Sequence, residues 1–211
     1  EVGTSLSKIK ANSLNLAGTF GFSGTVSGLA DETPLVLIST FTSDGSDATA
    51  SFTSGIDSTY KEYMFVFNNI HAETDNKNFT FQGSTDGGSS YGVTITSSFF
   101  EAGHKEDDSD PFLQYQGNHD LAQSTSFQTI CRNVGNGNDE SISGILKLYN
   151  PSSTTFVKHF MSTTNGYQYE SYTENWYMAG YFNTTSAINA FQFKMSSGEI
   201  QGGTIDLFGV V

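Results

Sequence analysis

The pattern of apolar and polar positions predicts β-strands along most of this chain. The densest apolar run is residues 61–70, which contains no Pro or Gly and is flanked on both sides by turn-forming residues. A short apolar run could also be a helix, but its Tyr, Phe and Val content favours a strand. Because its apolar residues are consecutive, we expect a central strand that is buried on both faces.

Further strands are predicted from alternation and from the spacing of turn residues. Turn signals recur every 8–12 residues or so, and no convincing long helix interrupts them. The pattern predicts an all-β, antiparallel β-sandwich, jelly-roll-like, over residues 34–211. Besides 61–70, the predicted strands are 34–42, 48–52, 78–82, 91–95, 142–149, 156–163, 176–182, 188–195 and 204–210.

Three stretches of this domain predict a hairpin, a loop and a segment of ambiguous structure. Residues 78–82 and 91–95 alternate on either side of Asp86-Gly87-Gly88, which predicts a β-hairpin. Residues 99–116 are acidic and contain Gly and Pro, so they are interpreted as an exposed loop from which Phe112, Leu113 and Tyr115 begin another strand. Residues 121–134 fit either a short helix or an irregular strand. We also expect Gly202-Gly203 to kink the chain.

Residues 1–33 differ from the rest and are predicted to form a separate N-terminal segment. Alternation extends over residues 14–28, well beyond an ordinary strand, and its apolar face is thin and interrupted by glycine. Such a segment cannot bury itself alone, so we expect it to wind with copies of itself as an intertwined stalk of a homotrimer. The alternative is a flexible linker that ends in an ordinary strand. The predicted stalk contacts are Leu14, Leu16, Phe20, Phe22 and Val26.

The charge balance narrows the classes of partner. The chain of 211 residues has a formal net charge of −13 and only nine Lys plus Arg. A nucleic acid or an anionic membrane needs a basic surface, so neither is expected as a partner. No apolar run is long enough to span a bilayer, and no signal-peptide pattern is present. The first residue is Glu, which indicates a processed product or a piece of a longer protein. The lone Cys131 is predicted to be a core residue.

No catalytic or metal-binding constellation is found, so we predict a protein that is not an enzyme and has no cofactor and no metal. The histidines are scattered, and no nucleophile elbow, phosphate-binding loop or zinc motif is present. The acidic stretch 106–110 could hold Ca²⁺, but it lacks the Gly and distal Glu of a calcium loop and is better explained as a solvated charge run. A glycan depolymerase would need two carboxylates facing each other in a groove.

One stretch has the composition of a binding surface. Tyr167, Tyr169, Tyr172 and Trp176 are spaced along a polar segment, as in loops that stack on sugars or contact proteins. These four are the candidate receptor contacts. Alternatively, Tyr167 and Tyr169 lie on one face of a strand and pack inward, because aromatic residues with period 2 are ordinary core signals.

Several segments of residues 35–211 resemble virion structural proteins of marine, cyanophage-like tailed phages. They are 52–60 leading into 63–70, then 83–91, 183–189, 195–198 and 203–209. In that group such segments belong to tail-fibre-like and appendage proteins. Residues 14–26 are similar to the short stalk motifs that precede trimeric fibre heads. The resemblance implies no active site.

Together these features predict a phage virion structural protein, located at the particle surface or tail. In this interpretation a homotrimeric, fibre-like appendage displays a β-sandwich head that attaches to a glycan or protein of the host surface. The alternative is a capsid-decorating or tail-scaffold protein whose head binds other virion proteins. That alternative predicts an extensive apolar patch on the head.

Overall fold

The computed structural model of this protein describes residues 34–211, which form twelve β-strands. Every strand pair is antiparallel, so the prediction of an all-β, antiparallel domain is confirmed. The predicted stalk lies outside the described residues. Within them there is no helix, and so none long and apolar enough to cross a bilayer. The strands are β1 (Leu35–Thr42), β2 (Ala50–Phe52), β3 (Glu62–Ala72), β4 (Lys77–Ser84), β5 (Ile95–Lys105), β6 (Pro111–Tyr115), β7 (Gln128–Val134), β8 (Ile142–Tyr149), β9 (Lys158–Gln168), β10 (Tyr172–Phe182), β11 (Ala190–Met195) and β12 (Ile200–Val210).

The strands form a larger and a smaller group. Eight strands pair in the order β1-β12-β3-β8-β9-β10-β5-β6, and we call them the larger sheet. Four strands pair in the order β7-β4-β11-β2, and we call them the smaller sheet. Between the two groups, β7 pairs with β9 only at Val134 and Gln168. All twelve strands thus belong to one hydrogen-bonded sheet that is nearly interrupted at this link. Ring contacts between the two groups place them face to face as two layers.

Aromatic rings from both layers fill the space between them. The ring centroids of Phe65 and Phe191 are 5.0 Å apart. Those of Phe81 and Phe160 are 5.2 Å apart in an edge-to-face arrangement. Each such pair contributes about 0.5–1.5 kcal/mol beyond the burial of its area. The high Phe content of the sequence is thus concentrated at the contact between the layers.

Strand β3 is central, as predicted from residues 61–70, but the expectation that it is buried on both faces is wrong. It pairs with β12 and β8, and Tyr63 and Phe65 are fully buried on its inner face. Met64 and Val66, on the opposite face, are only half-buried. The reason is that no third layer among residues 34–211 covers the outer face of the larger sheet.

The strand that is covered on both faces is β4. Its last six residues are all buried, including polar Gln82. A connecting segment lies over this strand, and the Gln82 Nε2 donates to the carbonyl oxygens of Thr125 at 3.2 Å and Ser126 at 3.0 Å. These bonds compensate the amide for the loss of water.

The predicted hairpin between residues 78–82 and 91–95 is not formed. Both edges of β4 are occupied, one by β7 and the other by β11. The Asp86 carboxylate accepts hydrogen bonds from the hydroxyl groups of Ser84 and Ser90 at 2.6 and 2.5 Å. These bonds close a compact loop that sends the chain into the other layer, where β5 pairs with β10 and β6.

Two other expectations are also resolved by the pairing. The supposed loop 99–116 contains most of β5 and all of β6, and only its acidic centre forms the turn between them. Of the two alternatives for residues 121–134, the strand is correct for the C-terminal half of this stretch, which forms β7. Strand β8 has the predicted bounds. The predicted kink at Gly202-Gly203 is confirmed by two shifts in the register of β12 against β3.

Candidate functional site

Charged side chains are buried where the inner faces of β5, β10 and β7 meet. Glu101 of β5 is 0% exposed and Glu174 of β10 is 1% exposed. Arg132 of β7, the only arginine of the chain, reaches both carboxylates. Alternation along each strand forces this arrangement, since Glu101 follows buried Phe99 by two positions and Glu174 precedes buried Trp176 by two.

Glu101 is saturated with hydrogen-bond donors. Arg132 donates to it twice, from Nε to Oε2 and from Nη2 to Oε1, each at 2.5 Å. The side-chain amides of Gln114 and Gln116 donate to the same Oε1 at 2.9 and 2.6 Å. Burial alone would raise the pKa of this carboxyl group, but the bonds from Arg132 and the two amides outweigh burial and lower it. Glu101 is therefore an ionised anchor that holds the guanidinium in place.

Glu174 is only half satisfied. Its Oε1 accepts from Arg132 Nη2 at 3.2 Å, whereas its Oε2 has no donor. The indole Nε1 of neighbouring Trp176 is likewise buried without a hydrogen bond of good geometry, but it lies close enough to this carboxyl group to oppose the rise in its pKa. Burial, with a contribution from the charge of Glu101, raises the pKa of Glu174 to about 7, although Arg132 opposes the shift. Near neutral pH this carboxyl group therefore exists in both protonation states.

A cleft with a volume of about 270 Å³ opens beside Glu174. The rings of Tyr172 and Phe112 lie in its wall with their centroids 5.9 Å apart. The Tyr172 hydroxyl donates to Asp110 Oδ2 at 2.9 Å, which fixes the acidic β5–β6 turn against this wall. The cleft thus combines an aromatic surface with amide and carboxylate groups. It is lined by Asp110, Phe112, Gln114, Arg132, Asn133, Gln168, Glu170, Tyr172 and Glu174.

The four candidate receptor contacts do not form one surface. Tyr172 lines the cleft, but Trp176 is 0% exposed, so it cannot contact a receptor in this fold. Tyr169 lies half-buried in the β9–β10 turn. Tyr167 lies on the outer face of β9, where its hydroxyl is 3.4 Å from Glu106 Oε2. The turn between the two strands separates these residues, because it reverses the direction of the chain while each strand keeps its own alternation.

The described residues hold no recognisable metal centre. In residues 34–211 no three His, Cys, Asp or Glu side chains are grouped so that they could hold a metal ion. The carboxylates of the 106–110 turn are engaged with protein donors such as Ser109 and Tyr172. Cys131 is fully buried, as predicted, and its Sγ donates to Thr164 Oγ1 at 3.1 Å. Burial raises the pKa of its thiol, so it is not a nucleophile.

Sequence reasoning missed the residues that form this cluster. Glu101, Arg132 and Glu174 were not singled out, although each follows from a local signal. Both glutamates occupy the apolar phase of an alternating strand, next to Phe99 or Trp176. An acidic residue in that phase needs a buried cation, and the single arginine of the chain is the natural candidate.

Comparison with known proteins adds nothing to this geometry. No family model, no curated protein and no solved structure matches the chain. The resemblance to phage virion proteins stays a prediction.

Proposed function

We propose that this chain is a non-enzymatic structural protein of a phage particle. In this proposal a homotrimeric stalk, formed by residues 1–33, carries a jelly-roll-like β-sandwich head at the particle surface or tail. The head attaches the particle to a glycan of the host surface. The observation that carries the attachment role is the cleft beside buried Glu174, which is lined by the ring of Tyr172 and by the exposed carboxylates of Asp110 and Glu170.

The chemistry of the cleft suits a sugar. Sugar hydroxyl groups donate to carboxylates such as those of Asp110 and Glu170, and they accept from amide groups such as that of Gln114; these three exposed side chains line the cleft. The ring of Tyr172 offers an apolar surface for the C–H face of a pyranose. Small-molecule pockets commonly measure about 300–1,000 Å³, so a cleft near the lower limit suits a terminal sugar unit.

Binding fits the cluster better than hydrolysis does. Two carboxylates with pKa values moved apart are the chemistry of glycoside hydrolases, and Glu101 and Glu174 have that property. Glu101, however, does not line the cleft, and donors occupy both of its oxygens. Glu174 lines the cleft but is itself only 1% exposed, so no acid–base pair faces a ligand.

The test is the binding of the full chain to a panel of host-surface glycans. We expect Tyr172→Ala to weaken binding about tenfold or more, which corresponds to about 1.4 kcal/mol. Tyr181→Ala is the matched control, because Tyr181 is a half-buried tyrosine of the same strand that faces away from the cleft. Equal losses in both variants, or no binding by wild type, would contradict the proposal. Release of reducing sugar would instead indicate a depolymerase.

One observation favours the alternative function, a capsid-decorating or tail-scaffold protein. That function requires an apolar patch on the head, and the outer face of the larger sheet carries exposed apolar residues such as Leu37, Leu113 and Tyr115. A neighbouring virion protein could cover them. Whether the heads project freely or lie against neighbours in the particle separates the two functions.

A further inference from the structure

The outer face of the larger sheet carries two adjacent rows of side chains that continue from strand to strand. Pairing places the members of each row side by side, on the face opposite the aromatic core. Most members are apolar, and we call the two rows together the outer stripe. One row is Tyr115, Phe100, Tyr177, Thr163, Ile145, Val66, Asp206 and Thr40, and the other is Ser98, Ala179, Met161, Lys147, Met64, Phe208 and Leu37.

The stripe is accessible in the isolated chain. Phe100 is 42% exposed although its ring stacks on that of Tyr177 with centroids 4.9 Å apart. Tyr115 is 58% exposed, and Leu113, which lies beside the first row on the same face of β6 and is counted with the stripe, is 74% exposed. Single exposed apolar residues are normal, but a continuous series across eight strands is the pattern of a contact surface.

The stripe is nearly free of net charge in a strongly acidic chain. The outward positions of the eight strands carry three formally charged residues, Glu62, Lys147 and Asp206. Glu62 and Lys147 pair with each other at 2.7 Å, so this face contributes about one of the thirteen net negative charges. Protein interfaces show the same composition, with charge depleted and aromatic residues and Met enriched.

We propose that a second copy of this chain occupies the outer stripe. Two copies with a net charge of −13 repel each other wherever their acidic surfaces meet, and on this face Asp206 is the one carboxylate without a paired cation. A basic partner would be drawn instead to the acidic turns, such as 106–110. A copy supplies the matching counter-surface, which is extended, apolar and almost uncharged, and closed assemblies of identical chains commonly use such patches.

This inference is independent of the glycan cleft. The cleft residues Tyr172 and Glu174 belong to the inner face of β10, whereas Tyr177 belongs to the outer face of the same strand. It also uses other residues than the predicted stalk contacts. A variant of either region should leave the other interaction intact.

The first test measures self-association of the full chain by sedimentation equilibrium over a dilution series. We expect Leu113→Asp and Phe100→Asp to raise the dissociation constant between copies tenfold or more. Phe156→Asp is the control, because Phe156 is 69% exposed but lies outside the stripe, in the β8–β9 connection. Phe20→Asp tests the stalk separately. If Phe20→Asp abolishes assembly while the two stripe variants match wild type, the inference is overturned.

The second test follows the accessibility of the stripe directly. Leu113→Cys and Phe156→Cys each add one thiol to a chain whose own Cys131 is buried and unreactive. We expect a thiol reagent to label Leu113→Cys slowly at concentrations where copies assemble and rapidly after dilution. Phe156→Cys should react at one rate throughout. Equal, concentration-independent rates would overturn the inference, and protection of Leu113→Cys only within particles would assign the stripe to another virion protein.

Discussion

Strands β5 and β10 depart from the usual distribution of polar and apolar residues at single positions on each face. The inner face buries Glu101 and Glu174, whereas the outer face exposes Phe100 and half-exposes Tyr177. Most large hydrophobic residues of residues 34–211 lie between the two layers, and among these residues only Glu101 and Glu174 are buried carboxylates. The departure is therefore local, and it coincides with the cleft on one face and the outer stripe on the other.

These positions have a physical cost on each face. Buried carboxylates lose their hydration and need a compensating cation, which Arg132 supplies. Exposed rings forgo the stabilisation that burial would give them. A head that needed only stability would have no reason to keep either feature. The buried carboxylates and the exposed rings are both explained if each face contacts a ligand or a partner.

The largest expected effect comes from removing the cation of the inner face. Arg132→Met leaves Glu101 and Glu174 without their charged partner, and it should lower the free energy of unfolding by about 3–5 kcal/mol, as for other broken buried pairs. Chemical denaturation at neutral pH measures this. Loss of less than about 1 kcal/mol would mean that the carboxylates are not dependent on Arg132.

Adjacent phenylalanines of β5 offer a sharper contrast between the faces. Phe99→Ala opens a cavity in the core and should cost about 3 kcal/mol or more. Phe100→Ala should cost less than about 1 kcal/mol, because its side chain is 42% exposed. The pair is compared by denaturation of dilute, unassembled protein. Similar losses in both variants would show that the outer face of β5 is covered within a single chain.

The raised pKa of Glu174 predicts a dependence of stability on pH. Because burial raises this pKa from 4.5 to about 7, the folded chain holds a proton that the unfolded chain releases in that interval. The stabilisation is therefore complete below pH 4.5 and is lost as the pH rises through 7. Relative to Glu174→Gln, wild type should lose up to about 3 kcal/mol across the interval, since each pKa unit corresponds to about 1.4 kcal/mol.

The variant Glu174→Gln also serves as the control for other titrating groups. Burial lowers the pKa of His119, and that contribution is common to both proteins, so it cancels in their difference. Parallel stability curves for wild type and Glu174→Gln would contradict the raised pKa of Glu174. A wild type that gains stability with rising pH relative to the variant would reverse its direction.

The smallest effect is expected for the ion pair on the outer face. Lys147→Met breaks the contact with Glu62, but both side chains are partly exposed and water compensates their charges. We expect a change of about 0–1 kcal/mol in the free energy of unfolding. A loss as large as that of Arg132→Met would remove the distinction between the two faces.

Much of the fold was predictable because alternation is set by local sequence. The bounds of β8 and the central place of β3 follow from it. The prediction of the hairpin was wrong because the turn signal at Asp86-Gly87-Gly88 indicates only that the chain changes direction. Which strands pair with β4 depends on the distant segments β7 and β11. The prediction that the outer face of β3 is buried was wrong for a related reason, because the layer that would cover a strand comes from distant parts of the sequence.

The candidate site was less predictable than the fold. The composition of its polar, aromatic segment predicts that Tyr172 is a receptor contact, and Tyr172 does line the cleft. The same composition predicts Trp176 as a contact, but Trp176 is buried. The position of the turn and the alternation of side chains along the strand decide which aromatic residues face outward. Arg132 is 31 residues from Glu101 and 42 residues from Glu174 in sequence, and only the folding of three strands brings these side chains together.

The most direct test of the central claim, attachment by a trimeric appendage, is cryo-electron microscopy of intact particles that contain this chain. The account predicts three copies around each axis, with heads that project from the particle surface or tail and with the Tyr172 cleft facing solvent. Heads buried against capsid or tail neighbours, with that cleft covered, would contradict attachment and would make the chain a structural component of the particle.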